Sequence, residues 1–247
     1  MHPLDNPVWS SLTGPQQDVA ERVGPVARYR AGISPFGAFE DPPGPGHWRA
    51  MAELVGPGGV VIVTGHTGDP PDDWAVEYDG VGVQLTGAHL VASSAEVAAA
   101  RPDVAVVPLG AAAEDEMVAL VELARPGPFS RRTHELGGYV GVRSGGMLVA
   151  MAGQRFHPDG WCEISAVATH PDHRRQGLGE LLVRTVAAGI SARGERPFLH
   201  TAADNATARR LYGAMGFTLR RQVRFVAVRA PGDGPGAPTP TLPPVHD

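Results

Sequence analysis

His173-Arg174-Arg175-Gln176-Gly177-Leu178-Gly179-Glu180-Leu181-Leu182, HRRQGLGELL, joins a basic loop to an apolar segment. Two arginines precede two glycines one residue apart, and the glycines run into an apolar segment. Leu178, Leu181, Leu182, Val186 and Ile190 recur at helical spacing, which predicts a helix opening in the second half of the stretch. Upstream, Trp161 to Thr169 has the length and apolar content of a strand and follows the turn Pro158-Asp159-Gly160. Strand, loop and helix in that order present unpaired backbone N–H groups at a helix N-terminus, where anions are stabilised. Gly177 and Gly179 remove side chains from the approach, and Arg174 and Arg175 supply charge. The loop therefore reads as a pyrophosphate cradle. It is not the dinucleotide fingerprint GxGxxG, whose third glycine would fall at Leu182.

Further upstream, Val104 to Leu109 reads as a strand, and Ala111 to Ala124 as a helix with Glu114, Asp115 and Glu116 at its positive start. The turn Pro126-Gly127-Pro128 ends that helix. Tyr139 to Val142 and Met147 to Ala152 form a hairpin about Ser144-Gly145-Gly146. Beyond the cradle lie a strand, Pro197 to Thr201, and the segment ADNATARRLYGAMGF, in which Asp204 or Asn205 can cap a helix starting near Ala206. Asn205, Ala208 and Tyr212 share one face of that helix. A last strand runs from Val223 to Val228.

This order, with RRQGLG followed by DNxxAxxxYxxxGF, resembles the GNAT N-acetyltransferase superfamily over residues 104–229, about half of the chain. The resemblance implies an α/β (α+β) fold with a mixed, mostly antiparallel sheet flanked by helices. It implies acetyl-CoA as co-substrate, its pyrophosphate held by Arg174, Arg175, Gln176, Gly177, Leu178, Gly179 and Glu180. Its pantetheine arm would pair with the strand edge at Val167, Ala168 and Thr169 and touch Asn205 and Ala208. The Val167 amide would polarise the thioester carbonyl, and Tyr212 would protonate the leaving thiolate. Glu163, eleven residues before Arg174, stands where family members keep a general base; desolvation among Trp161, Cys162 and Ile164 would raise its pKa. Period 2 puts Glu163, Ser165 and Val167 on one face. The alternative for Glu163 is an ion pair with a nearby arginine. The implied reaction is acetyl transfer from acetyl-CoA to a primary amine in a ternary complex. The competing class is a non-catalytic acyl-CoA sensor, which would need neither Glu163 nor Tyr212.

Composition narrows the partners. The chain has 247 residues, is 43% hydrophobic and contains no lysine, which excludes a Walker phosphate loop and a Schiff-base mechanism. Residues 1–107 carry −8 and residues 108–229 carry +5, so the latter suit a polyanionic ligand. The −8 would suit a cationic acceptor facing the first half. Scattered arginines without interleaved aromatics speak against nucleic acid. The absence of an apolar run of spanning length or a basic leader speaks against membrane insertion, and a lone cysteine, Cys162, suits the cytoplasm. Asp69, Asp72 and Asp73 read as solvated loop charge, and because the resembled family uses no metal, His170 and His173 read as loop histidines and no metal site is expected. Residues 1–107, with strands about Val60 and Val83, read as an N-terminal α/β domain compatible with a degenerate copy of the same fold. Residues 108–229 form the transferase domain, and the Pro/Gly-rich 230–247 a disordered tail. The segments NPVW and SPFGAF, residues 6–9 and 34–39, could line an acceptor cleft.

Overall fold

A computed structural model of the chain describes residues 2–65, 68–87, 94–232 and 234. Most of the expected tail, residues 230–247, lies outside the described residues. Near the N-terminus, β1 (Ala20–Val23), β2 (Val26–Tyr29) and β3 (Gly37–Phe39) form an antiparallel sheet, with α1 (Pro7–Leu12) and α2 (Pro45–Val55) packed beside it. None of these elements stands out in the sequence, because each is short and Pro and Gly interrupt its periodicity. There follow β4 (Val60–Thr64), β5 (Ala75–Thr86), α3 (Ser94–Ala100), β6 (Val106–Pro108) and α4 (Glu114–Ala124). Next come β7 (Val140–Ser144), β8 (Met147–Gln154), β9 (Trp161–Thr169), α5 (Leu178–Ala192), β10 (Arg196–Ala202), α6 (Ala206–Ala214) and β11 (Thr218–Arg229).

Strands β4 to β11 make one mixed sheet in the order β4-β11-β5-β10-β9-β8-β7-β6. Every neighbouring pair is antiparallel except β9 and β10. The boundary expected at residue 107 does not divide this sheet: β5, from the first half, pairs with β10 on one side and β11 on the other. The cause is the C-terminal strand, which offers two edges and takes both β4 and β5.

The faces of the sheet are covered differently. Helices α4 and α5 both pack over β8 and β9, and they join separate apolar clusters on opposite faces. Leu182, Val183 and Ile190 of α5 are fully buried against Cys162, Ile164 and Leu199. The neighbouring Phe198 faces the other way and packs with Leu4, Val8 and Phe36 of the N-terminal segment. Gly145 and Gly146 both have positive φ, which gives the β7–β8 hairpin the tight turn its strand twist favours. Among the described residues no helix is long and apolar enough to cross a membrane.

Two irregularities open the middle of the sheet. The parallel ladder of β9 with β10 covers Trp161, Cys162 and Glu163 against Arg196, Pro197 and Phe198, and stops there. On its other edge β9 pairs Ser165 with Gly153 and Ala168 with Met151, leaving Ala166 and Val167 as the bulged residues. Ala166 has φ +52°, a conformation alanine rarely adopts. The bulge breaks the alternation expected along β9, so Glu163, Ser165 and Val167 do not form one continuous face. We expect Ala166→Gly to fold at least as stably as the parent chain, and the β-branched Ala166→Val to lose about 1–3 kcal/mol. Urea denaturation of the two variants measures both.

Candidate functional site

Where β9 and β10 diverge, a cavity of about 490 Å³ opens between the bulge, α6 and the N-terminal segment. Ser165, Ala166, Val167 and Arg174 line one end, and Asn205, Ala208 and Tyr212 of α6 line the side. Phe36, Ile62, Tyr78, Arg155, His200 and Phe225 line the other end. The cavity thus brings together Val167, Arg174, Asn205, Ala208 and Tyr212 from the residues the sequence singles out. Phe36 of SPFGAF reaches it, whereas Val8 of NPVW is buried in the core.

Helix α5 starts at the cradle. Its cap is Gly177 at φ +74°, and no side chain caps the first turn. The N–H groups of Leu178, Gly179 and Glu180 therefore point out of the helix start without an intrahelical acceptor. Arg175 also has positive φ, at 61°, turning the chain sharply ahead of the glycines. A Cβ at Gly179 would meet nothing nearer than Thr169 Oγ1 at 3.8 Å, so the first turn is open rather than packed. Arg101 closes the back of the loop by donating to the Gln176 carbonyl at 2.9 Å. Arg174 is exposed and reaches the Thr169 carbonyl at 3.4 Å, and Glu180 pairs with Arg184 along the helix. Uncapped amides, absent side chains and exposed arginines fit a phosphate group.

On α6, the Asn205 side chain accepts from the Ala208 N–H at 3.0 Å and so serves as the helix cap. Tyr212 packs on Phe217 and is 8% exposed. Burial pushes its pKa up to about 12, which keeps the phenol protonated across the physiological range. His170 accepts from the Asp172 N–H at 3.3 Å, a local turn contact, and His173 stacks edge-on against it.

Glu163 departs from expectation. It is fully buried, and Arg155 donates to both of its oxygens, Nε to Oε2 and Nη2 to Oε1, each at 2.8 Å. His200 Nδ1 lies 2.7 Å from Oε1, and the Phe156 N–H donates to Oε2 at 3.3 Å. Burial is the largest single influence and pushes the pKa up, as the sequence suggests. The Arg155 charge with its hydrogen bonds, and the His200 hydrogen bond, together outweigh it and hold the carboxyl at about 2. The raised proton affinity expected of a general base is not found, and the ion-pair alternative is the one realised.

The network continues through His200. An ionised Glu163 can only accept, so Nδ1 carries the hydrogen. Nε2 of His200 then faces Gln84 Nε2 at 3.1 Å. The Gln84 amide is fixed in orientation, because its nitrogen donates to the Leu4 carbonyl at 3.1 Å and its oxygen accepts from Arg220 at 2.8 Å. Gln84 therefore donates to Nε2, and both imidazole nitrogens are occupied. Sequence reasoning missed Arg155, His200 and Gln84. A histidine inside the apolar run PFLH was the available signal.

No Asp or Glu lines the cavity among the described residues, so the acidity of the first half does not face this site. Elsewhere, His157, Cys162 and Glu195 bring potential ligand atoms within 4.8 Å of one another. Glu195 there already pairs with His157 and Arg193, and burial pushes the Cys162 thiol up to about 12.

Residues 139–226 match the family described as FR47-like protein. An acetyltransferase assigned to the GNAT family from Novosphingobium aromaticivorans is 35% identical, with a TM-score of 0.81 over 92% of this chain and 98% of its own. Two further structures share the fold at 15% identity. A GCN5-related N-acetyltransferase-like protein from Streptococcus suis has a TM-score of 0.59 and covers 90% of this chain and 92% of its own. A GCN5-related N-acetyltransferase from Kribbella flavida has a TM-score of 0.54 and covers 91% and 96%. No curated protein matches the sequence.

The buried pair sets an acid limit on stability. The folded pKa of Glu163, about 2, lies below its ordinary value of 4.5, so its contribution is fully present above that value and is lost as pH falls toward 2. Glu163→Gln should lower stability at neutral pH by about 3–5 kcal/mol by leaving Arg155 unpaired. The variant should also lose part of the acid dependence below the ordinary value. Thermal melts of both proteins between neutrality and pH 3 measure the two effects.

Proposed function

Because the chain belongs to the GNAT family, we propose that it transfers an acetyl group from acetyl-CoA to a primary amine, directly, with both substrates bound at once. One observation carries the reading: a single cavity joins the bulged edge at Val167, the arginine beside the uncapped helix start, and the protonated hydroxyl of Tyr212. When bound, acetyl-CoA supplies an activated thioester. The cradle from Arg174 to Glu180 holds its phosphates, and the unpaired β9 edge at Val167, Ala168 and Thr169 takes the extended arm. The Val167 N–H is the donor for the carbonyl oxygen. Tyr212 donates a proton to the departing sulfur, and Asn205 and Ala208 wall the arm. Residues 108–229 supply this machinery, and residues 1–107 wall the acceptor end through Phe36, Ile62 and Tyr78.

The amine must be neutral to attack. Glu163 is committed to Arg155 and His200, and His200 to Glu163 and Gln84, so neither has a lone pair free for the amine. The acceptor then enters already deprotonated and loses its second proton to solvent after attack. Accordingly, kcat/KM should rise with pH in step with the fraction of neutral acceptor. The midpoint should move when an acceptor of lower pKa is used. A midpoint fixed between pH 5 and 8 for every acceptor would require an enzyme base. Tyr212→Phe should lower kcat by about 10²-fold or more while coenzyme affinity, read by calorimetry, stays within about twofold. Unchanged turnover would remove the tyrosine from the mechanism.

A further inference from the structure

The acceptor end of the cavity is built around Arg155, whose side chain is 8% exposed. Its Nε and Nη2 are spent on Glu163. The guanidinium carbon lies 4.7 Å from the Phe36 ring centroid and 4.4 Å from that of Phe156, so aromatic rings cover it. Nη1 makes no hydrogen bond to any described residue, while the fully buried side-chain atoms left without a partner are only the hydroxyls of Ser34 and Tyr139. Nη1 is therefore reachable from the cavity that Arg155 lines. A nine-tenths-buried arginine held rigid on three sides presents its remaining donors to the space where an acceptor would sit.

The surroundings favour an anion at those donors. Arg125 and Arg174 also line the cavity, and no carboxylate does among the described residues. Arg125 has no acidic partner among the described residues. The Glu163 charge is consumed inside the network, on the far edge of the guanidinium. Phe36, Ile62 and Phe225 give the same end an apolar wall. We propose that Arg155 docks the carboxylate of the acceptor, so that the acceptor class is an apolar amino acid rather than a simple amine or a polyamine. This rests on the acetyl-transfer reading for the reaction but not for the binding.

The test uses matched triplets: phenylalanine, phenylalaninamide and phenethylamine, and the leucine equivalents, with spermidine as a polycation. Thiol release from acetyl-CoA gives kcat/KM, compared at equal concentrations of neutral amine. Calorimetry with CoA present gives affinity without turnover. A charged hydrogen bond predicts about a ten- to hundred-fold preference for the carboxylate-bearing member over its amide and its decarboxylated form. The double variant Arg155→Met/Glu163→Gln removes the buried pair together and avoids stranding one charge. Folded by circular dichroism, it should lose the carboxylate preference mainly through KM, so that the members of each triplet become alike within a few-fold; a preference that survives the double variant would overturn the assignment to Arg155. Equal or better use of phenethylamine or spermidine by the parent chain would overturn the proposal and leave acetyl transfer standing. No release with any member, but carboxylate-selective binding, would overturn acetyl transfer and support the subsite. No release and no selective binding would overturn both.

Discussion

Two parallel strands that stop pairing govern this molecule. β9 and β10 run together for three residues and part after Glu163 and Phe198. A parted sheet exposes backbone donors and acceptors that ordinarily must be satisfied. Each strand keeps its outer partner, β10 with β5 and β9 with β8 across the bulge at Ala166 and Val167, so beyond the fork the two facing edges do not pair with each other. What is left over is the edge of β9 beyond Glu163 that β10 no longer covers.

The crotch of the fork is filled by charge rather than by hydrocarbon. Arg155, Glu163, His200 and Gln84 form a closed hydrogen-bonded set under Phe36 and Phe156. An ion pair here is weak evidence of added stability, since well-packed apolar residues of the same volume often do as well. Its directional bonds, however, fix where each strand sits. Glu163 holds the turn after β8 through Arg155 and the Phe156 N–H, and holds β10 through His200. A carboxylate with those obligations is a poor proton carrier, and its position in β9 alone could not reveal them.

That distinction marks what was legible in the sequence. The cradle, the Tyr212 helix and the strand before them carry spacing constraints that backbone geometry imposes locally, so HRRQGLGELL and NATARRLY are readable as they stand. The helical start at Leu178 and the cap at Asn205 follow from glycine and Asx chemistry within a few residues. The buried network joins positions 4, 84, 155, 163, 200 and 220, and no local pattern links them. The small N-terminal sheet failed for a different reason: three- and four-residue strands hold too few periods to register. The boundary at 107 rests on where the family resemblance begins, and the mixed sheet runs across it.

Strand β11 pairs along its length with β5, Arg229 against Ala75 and Thr218 against Thr86. The centre of the sheet is thus closed by segments more than a hundred residues apart. Such closure is entropically slow, and it cannot occur during synthesis until residues beyond 229 have emerged. Until then the edges of β4 and β5 that β11 fills face no partner, an arrangement prone to pairing between chains. The same strand that lets two halves share one sheet therefore leaves the nascent chain with open strand edges late in its synthesis, and makes 108–229 an unpromising fragment to express alone.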